Sequence, residues 1–311
     1  MATESVTPAP VRFGSSEVAP ARATQDRIDI PEFAPSLLPD GNFSLDDRFL
    51  DREMSWLDFN ARVLELAEDP DLFLLVEASA RDGYYVENGF DAAYDWSGQL
   101  GEWAWDEVFG EGRVDLARLR AALTNEGKGY PHDSLILRFL NNNDTGERFI
   151  SRYGLGPTRV AAALTFTLPG VPLIYTGDEV GAEFEPYDEG PPLSWQDPHE
   201  LLSYYRQLAQ LRRETPALWS RELDLIETDR DDRVLAFLRP GKSAERSVLV
   251  LLNFSDEAVT VGLGTMDKLA ALTRNGQAVD RLSGETVKLD GKVPSLRLPP
   301  YGVRVLEAPP E

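Results

Sequence analysis

Two carboxylates stand where the sequence could do chemistry. The apolar runs at 72–78 and 134–140 each lead into one, Glu77 in LLVEASARD and Asp144 in RFLNNNDTG. In a parallel α/β barrel the C-terminal ends of the strands converge on one mouth, so carboxylates placed there would face a common ligand, as acid-base sugar chemistry requires. Acidic groups that only cap a strand or accept hydrogen bonds in a loop would leave the same pattern. Other reactive sets are absent. The chain has no Cys, and its two histidines, His132 and His199, lie far apart, which argues against a thiolate metal site, a zinc cluster or a Ser-His pair. Gly154 and Gly156 in YGLGPTR do not complete a phosphate loop. The run Asn141 to Asp144 offers oxygen ligands but too few carboxylates for calcium.

The elements that must position these residues are readable from periodicity. Leu72 to Ala78 is a continuous apolar run that suits a strand buried on both faces. After it, strands are expected at 90–96, 134–140 and 171–175, with helices at 114–125 (Leu116, Leu119 and Leu123 on one side), 157–168 and 199–214. Strands alternating with helices predict parallel βαβ units. Beyond Pro216 the segments VLAFLR, SVLVLLNF, AVTVGL, ETVKL and VRVLE alternate between turn clusters and predict an all-β domain. Upstream, residues 1–44 are rich in Pro, Ala and Ser and are expected to be a disordered tail. A helix comes next, with Ser55 as N-cap, Trp56, Phe59, Val63 and Ala67 on one face, and Pro70 as its stop. The expected divisions are therefore 1–44, 45–71, 72–216 and 217–311.

The 311 residues carry a formal charge of −22, which argues against nucleic acid or an anionic membrane as partner. No basic segment followed by an apolar one opens the chain, and no run of about 18 apolar residues occurs, so a soluble, cytoplasmic protein is the expectation.

The segments LVEASARDGYYVENGFDAAYDW, RFLNNNDTGERF and LTFTLPGVPLIYTGDEVG, in that order, resemble barrel strands five to eight of the α-amylase superfamily of glycoside hydrolases. The helix LLSYYRQLAQLRRETPAL and the all-β region resemble the elements C-terminal to the barrel in that superfamily, so the likeness covers about residues 72–311. It implies a partial (β/α)8 TIM-type barrel with a C-terminal antiparallel β-sandwich, and an α-glucan or malto-oligosaccharide as substrate. Glu77 matches the general acid/base of a retaining mechanism, and Asp144 the residue that stabilises the oxocarbenium-like transition state. Asn143 stands where many members carry His and is expected to bind a sugar hydroxyl. Tyr84 and Trp103 could stack on pyranose faces, as could Tyr85 and Trp105. Asp178 and Glu179, in PLIYTGDEVG, are expected to serve as structural or substrate-binding residues at the mouth. The resemblance implies neither cofactor nor metal.

The family's nucleophile is an Asp at the end of strand four, in a Gly-x-Arg-x-Asp context, and no such segment precedes Glu77. Arg27-Ile28-Asp29 lacks the preceding Gly and lies in the expected tail. In that place residues 47–70, DRFLDREMSWLDFNARVLELAEDP, resemble the opening helix of the N-terminal domain of polyphosphate kinases, in Arg52, Glu53, Ser55, Trp56, Phe59, Asn60, Arg62, Val63 and Leu64. That family's nucleotide-contacting and phosphoacceptor segments do not come after it. A join of two families is thus expected near residues 69–74. Three functions remain open: an α-glucan hydrolase or transglycosylase impaired by the missing nucleophile region, a recombined product with at most glucan binding, and a polyphosphate kinase-type phosphotransferase. Half a barrel also leaves open sheet edges, through which the chain could self-associate.

Overall fold

Each apolar run of the middle region becomes a short parallel strand, and each crossover becomes a helix. The computed structural model describes residues 61, 63, 72–94, 108–109, 116–123, 135–187, 192–241, 247–264, 269, 272–289 and 293–309. Contacts divide the chain into two units, Met1–Arg62 and Val63–Glu311. In the first only Ala61 is described, and it is helical, as is Val63. The expected tail at 1–44 and the Ser55 cap lie outside the described residues, as do Trp103 and Trp105.

In the second unit the strands β1 (Leu75–Ser79), β2 (Ala92–Tyr94), β3 (Leu135–Arg138) and β4 (Val171–Pro172) form one parallel sheet in the order β1-β2-β3-β4. Val76 pairs with Ala93, Ala92 with Leu135 and Leu137 with Val171, so neighbours in sequence are neighbours in the sheet. Parallel pairing demands crossovers. They are supplied by α1 (Gly83–Glu87), α2 (Ala117–Leu123), α3 (Phe149–Tyr153) and α4 (Leu155–Thr167). This is the arrangement of consecutive barrel strands, and it bears out a partial barrel.

One expectation is corrected. The run at 72–78 is not buried on both faces: among the described residues β1 pairs only with β2, and Leu72, Phe73 and Leu75 are exposed.

Helix α4 is apolar over most of its surface. Val160, Ala161, Ala162, Ala163 and Leu164 are all buried, because α4 packs on β4, on the next helix and on the C-terminal sheet. That next helix, α5 (Leu201–Glu214), presents Leu201, Tyr205, Leu208 and Leu211 at helical spacing to the core. Its start is set by Asp197, whose carboxylate accepts from the Leu201 and Leu202 amides at 2.8 and 3.0 Å. The carbonyls left open at the end of α4 are taken by guanidinium groups. Arg212 donates to Phe166 and Leu168, Arg239 to Thr167, and Arg138 to Pro169.

The C-terminal region is antiparallel: a six-stranded sheet ordered β10-β9-β12-β7-β6-β5 and a pair β11-β8. Its strands are β5 (Asp224–Ile226), β6 (Val234–Arg239), β7 (Val248–Asn253), β8 (Val259–Gly262), β9 (Gln277–Asp280), β10 (Thr286–Lys288), β11 (Ser295–Leu298) and β12 (Val303–Glu307). Alternation along β6 and β7 splits two cores. Val234, Ala236, Leu249 and Leu251 meet Val261 and Leu298 of the small pair. Leu235, Phe237, Val250 and Leu252 turn the other way, into the core of α4 and α5. One continuous core thus joins the sheet of β6 and β7 to the helices that back the barrel strands.

The turn from α4 into β4 leaves no room for a side chain. Gly170 has φ +113°, and a Cβ there would collide with the Ile136 carbonyl of β3. Gly170→Ala is expected to destabilise the protein by about 1–3 kcal/mol, seen as a lower urea midpoint at unchanged m.

Candidate active site

Glu77 extends from β1 and Asp144 from the loop after β3, two strands away, and the two carboxyl groups come close enough for Asp144 to shift the titration of Glu77. Both are exposed. Hydrogen bonding by Asp144 is the main cause that raises the Glu77 pKa above the usual carboxylate range, with burial and the negative Asp144 adding to it. A carboxyl whose pKa is raised holds its proton to higher pH than an ordinary one and can donate it. Its partner can carry the negative charge.

A third group joins them from the strand between. Tyr94 ends β2, and its pKa is raised by burial first and then by the negative charge of Glu77 and of Asp144. The phenol therefore stays neutral within the field of both carboxylates. Its ring packs edge-on to Phe139, with centroids 5.4 Å apart. Sequence reasoning missed Tyr94 because it sought acids. The usable signal was its place at the C-terminal end of a parallel strand.

The three asparagines before Asp144 have separate tasks. Asn141 is buried; its amide donates to Asp178 at 2.7 Å, and its carbonyl accepts from the Phe149 amide at 2.7 Å. Asn142 shapes the turn, accepting from the Asp144 amide at 2.9 Å while its own amide donates to the Thr145 hydroxyl at 3.2 Å. Asn143 points outward and donates to the Tyr187 hydroxyl at 3.0 Å.

Beneath the loop lies a buried ion pair. Arg148 and Asp178 approach to 3.2 Å with side chains 1% and 3% exposed. Arg148 also donates to the carbonyls of Thr176 and Ala182, and its guanidinium lies 4.8 Å from the Tyr175 ring centroid. Asp178 accepts from the Tyr175 amide at 3.1 Å. Burial pushes the Asp178 carboxyl up to about 7, against the lowering effect of Arg148 and Asn141. Glu179 accepts from the Gly177 amide at 3.0 Å. The ion pair ties the loop after β3 to the loop after β4.

The structure thus brings Glu77, Asp144 and Asn143 to one end of the sheet. Asp178 does not reach the mouth as a sugar-binding residue: its oxygens are engaged by Asn141, Arg148 and the Tyr175 amide inside the fold. Tyr84 stands on α1, 64% exposed, with Tyr85 as its ring neighbour at 5.5 Å.

Four consecutive parallel barrel strands with two carboxyl groups at one end, followed by an antiparallel domain, define the fold class as a partial α/β barrel with a C-terminal β-domain. Comparison with known proteins places the chain further. A maltogenic α-amylase structure, AmyB from Thermotoga neapolitana, matches with a TM-score of 0.64 at 22% identity, covering 83% of this chain and 59% of that one. The α-amylase MalA of Haloarcula japonica is 37% identical over 142 residues, 43% of this chain and 20% of that protein. Neopullulanase 2 of Thermoactinomyces vulgaris is 27% identical over 261 residues, 81% of this chain and 42% of that protein. Residues 49–78 match the polyphosphate kinase N-terminal domain, a match that runs past the expected join at 69–74. The chain therefore matches the α-amylase superfamily and carries a polyphosphate kinase-like segment over residues 49–78, consistent with a fusion of the two. It spans less than half the length of these two curated relatives. Among the described residues no helix is long and apolar enough to cross a membrane.

Proposed function

We infer that the site is the acid/base half of an α-glucan-processing centre of the α-amylase type. The two carboxyl groups Glu77 and Asp144, placed at one end of a single parallel sheet and interacting with each other, carry this reading. Glu77 is the proton donor to the glycosidic oxygen. Asp144 and Asn143 hold sugar hydroxyls, and Asp144 balances positive charge as the anomeric carbon loses its leaving group. Retaining cleavage needs a further carboxylate about 5–5.5 Å from the acid. No Gly-x-Arg-x-Asp segment supplies one before Glu77, so the nucleophile comes from outside the four strands, with a second chain as its source; among the described residues β1 pairs only with β2, which leaves its other edge for such a partner.

Pure protein titrated with maltotriose by calorimetry tests the site. Binding that falls at least tenfold in Asp144→Asn is the expected outcome, and no binding by the unaltered chain rejects the reading. The missing nucleophile has its own test. With α-maltosyl fluoride, added azide is expected to attack the anomeric carbon as the C–F bond breaks, giving the β-configured azide. Efficient hydrolysis with retention and without azide, by a monomer, would reject that part.

Glucan binding without chemistry is the second reading. It is favoured by the absence of the nucleophile motif and predicts maltotriose affinity with no azide product. A phosphotransferase role rests on the 49–78 match alone, and a chain of charge −22 is a poor host for a polyanion.

A further inference from the structure

Two edges bound the parallel sheet among the described residues: β1, which pairs only with β2, and β4, which pairs only with β3. Both carry apolar side chains in water. Leu72, Phe73 and Leu75 are exposed along and just before β1, and Ile174 just beyond β4. Leu75 alternates with Glu77 on one face of β1, and both are exposed, whereas Val76 turns the other way and packs with Ala93 and Ile136. The exposed face of the strand is thus the face that carries the acid. Parallel sheets are covered on both faces, and an open edge offers its amides and carbonyls to another strand.

We propose that a second copy of this chain covers this face, with β1 of each copy paired to β4 of the other in one closed ring of eight parallel strands. The two edges are complementary in direction. All four strands run the same way, and a two-fold axis running in the strand direction preserves that sense, so both seams form at once. Eight strands are also the number at which side chains fill a barrel interior, and Phe73 and Leu75 of both copies supply apolar ones. The ring completes the site as well. Glu77 has its own Asp144 two strands away through β2, near enough to shift its titration. Through β4 of the second copy it has the other Asp144 at the same separation of two strands. This rests on the glucan-site reading and names the carboxylate that one copy lacks. An oxygen of the second Asp144 bonds to the anomeric carbon as the C–O bond to the leaving sugar breaks, and the leaving oxygen takes the proton of Glu77. Water then replaces the carboxylate and returns a proton to Glu77.

Sedimentation velocity of the full chain over a dilution series tests the assembly, with Phe73→Asp and Leu75→Asp as variants. Both side chains are exposed in the single copy, so the circular dichroism of dilute variants should match that of the unaltered chain. A reversible dimer is expected, weakened at least about tenfold by each variant. It should tighten as salt rises from about 0.01 M to about 0.1 M, because two bodies of charge −22 repel each other across apolar seams. A chain that stays single at every concentration, growth into larger species, or a dimer indifferent to both variants overturns the closed ring. Calorimetry with maltotriose then still judges the glucan site by itself. α-Maltosyl fluoride tests the contributed carboxylate: hydrolysis with retention and without azide should follow the fraction of dimer and disappear in Phe73→Asp. A dimer that needs azide as much as the single chain does overturns the role of the second Asp144.

Discussion

At about pH 8, where Asp178 is ionised, replacing it by alanine is expected to destabilise the fold by about 3–5 kcal/mol, the range for stripping one partner from a buried ion pair. The size reflects the groups left behind. Arg148 would keep its charge with its side chain 1% exposed, its ion-pair partner gone and only carbonyl acceptors left. Asn141 would lose the acceptor for its amide, and the Tyr175 amide its 3.1 Å bond. Asp178→Asn retains an acceptor oxygen of similar shape and is expected to cost less, with the same sign. Urea denaturation followed by circular dichroism measures both. A change below about 1 kcal/mol for alanine would show that water solvates Arg148 after all.

The same carboxyl sets a pH dependence. Its pKa rises from 3.8 in an ordinary carboxylate to about 7 in the fold. Between these values the unfolded chain has released the proton and the folded chain retains it. The stability contributed by this group is therefore full below about pH 4 and falls as pH rises toward about 7. Asp178→Ala should lack that decline, so the cost of the substitution is greatest on the acid side. Urea midpoints at about pH 5 and about pH 8 for both proteins compare the slopes. Parallel slopes would mean that Arg148 holds Asp178 ionised throughout.

The sheet elements that were legible are those whose alternation decides a face. VLAFLR and VRVLE form β6 and β12 with the same bounds, because each strand of the C-terminal sheet separates two surroundings by its period of two. The strands Gln277–Asp280 and Ser295–Leu298 escaped notice: four residues with polar positions carry little pattern. Helix α3 escaped for the same reason, since Gly154 ends it after five residues. The acids Glu77 and Asp144 were legible because strand ends in a barrel converge. The work of Asn141 was not. Its partner Asp178 lies 37 positions away, and only the closed fold brings the two loops together. Likewise Tyr187 meets Asn143 across 44 positions. A run of three amides looks uniform until each finds its own neighbour.

Glu77→Gln is expected to lower azide-assisted cleavage of maltotriose by about 10²–10⁴-fold, the usual contribution of a positioned proton donor. A glycosidic oxygen leaves as an alkoxide unless it receives a proton while the C–O bond breaks. Glutamine keeps the shape and an amide donor beside Asp144 but has no proton of suitable acidity to give. Fluoride needs far less help to leave, so α-maltosyl fluoride with azide should react at nearly the original rate in the same variant. The contrast between the two substrates separates proton donation from folding and from binding, which both share. Equal losses on both would remove Glu77 from the acid role. The pH profile gives a second reading of the same group. Because the hydrogen bond and charge of Asp144 raise the Glu77 pKa, the protonated form persists to higher pH, and the falling limb of maltotriose cleavage should lie above the usual carboxylate range. Asp144→Asn removes the charge that opposes ionisation, and the limb should then move to lower pH. A limb that stays in place would mean that some other group holds the proton on Glu77.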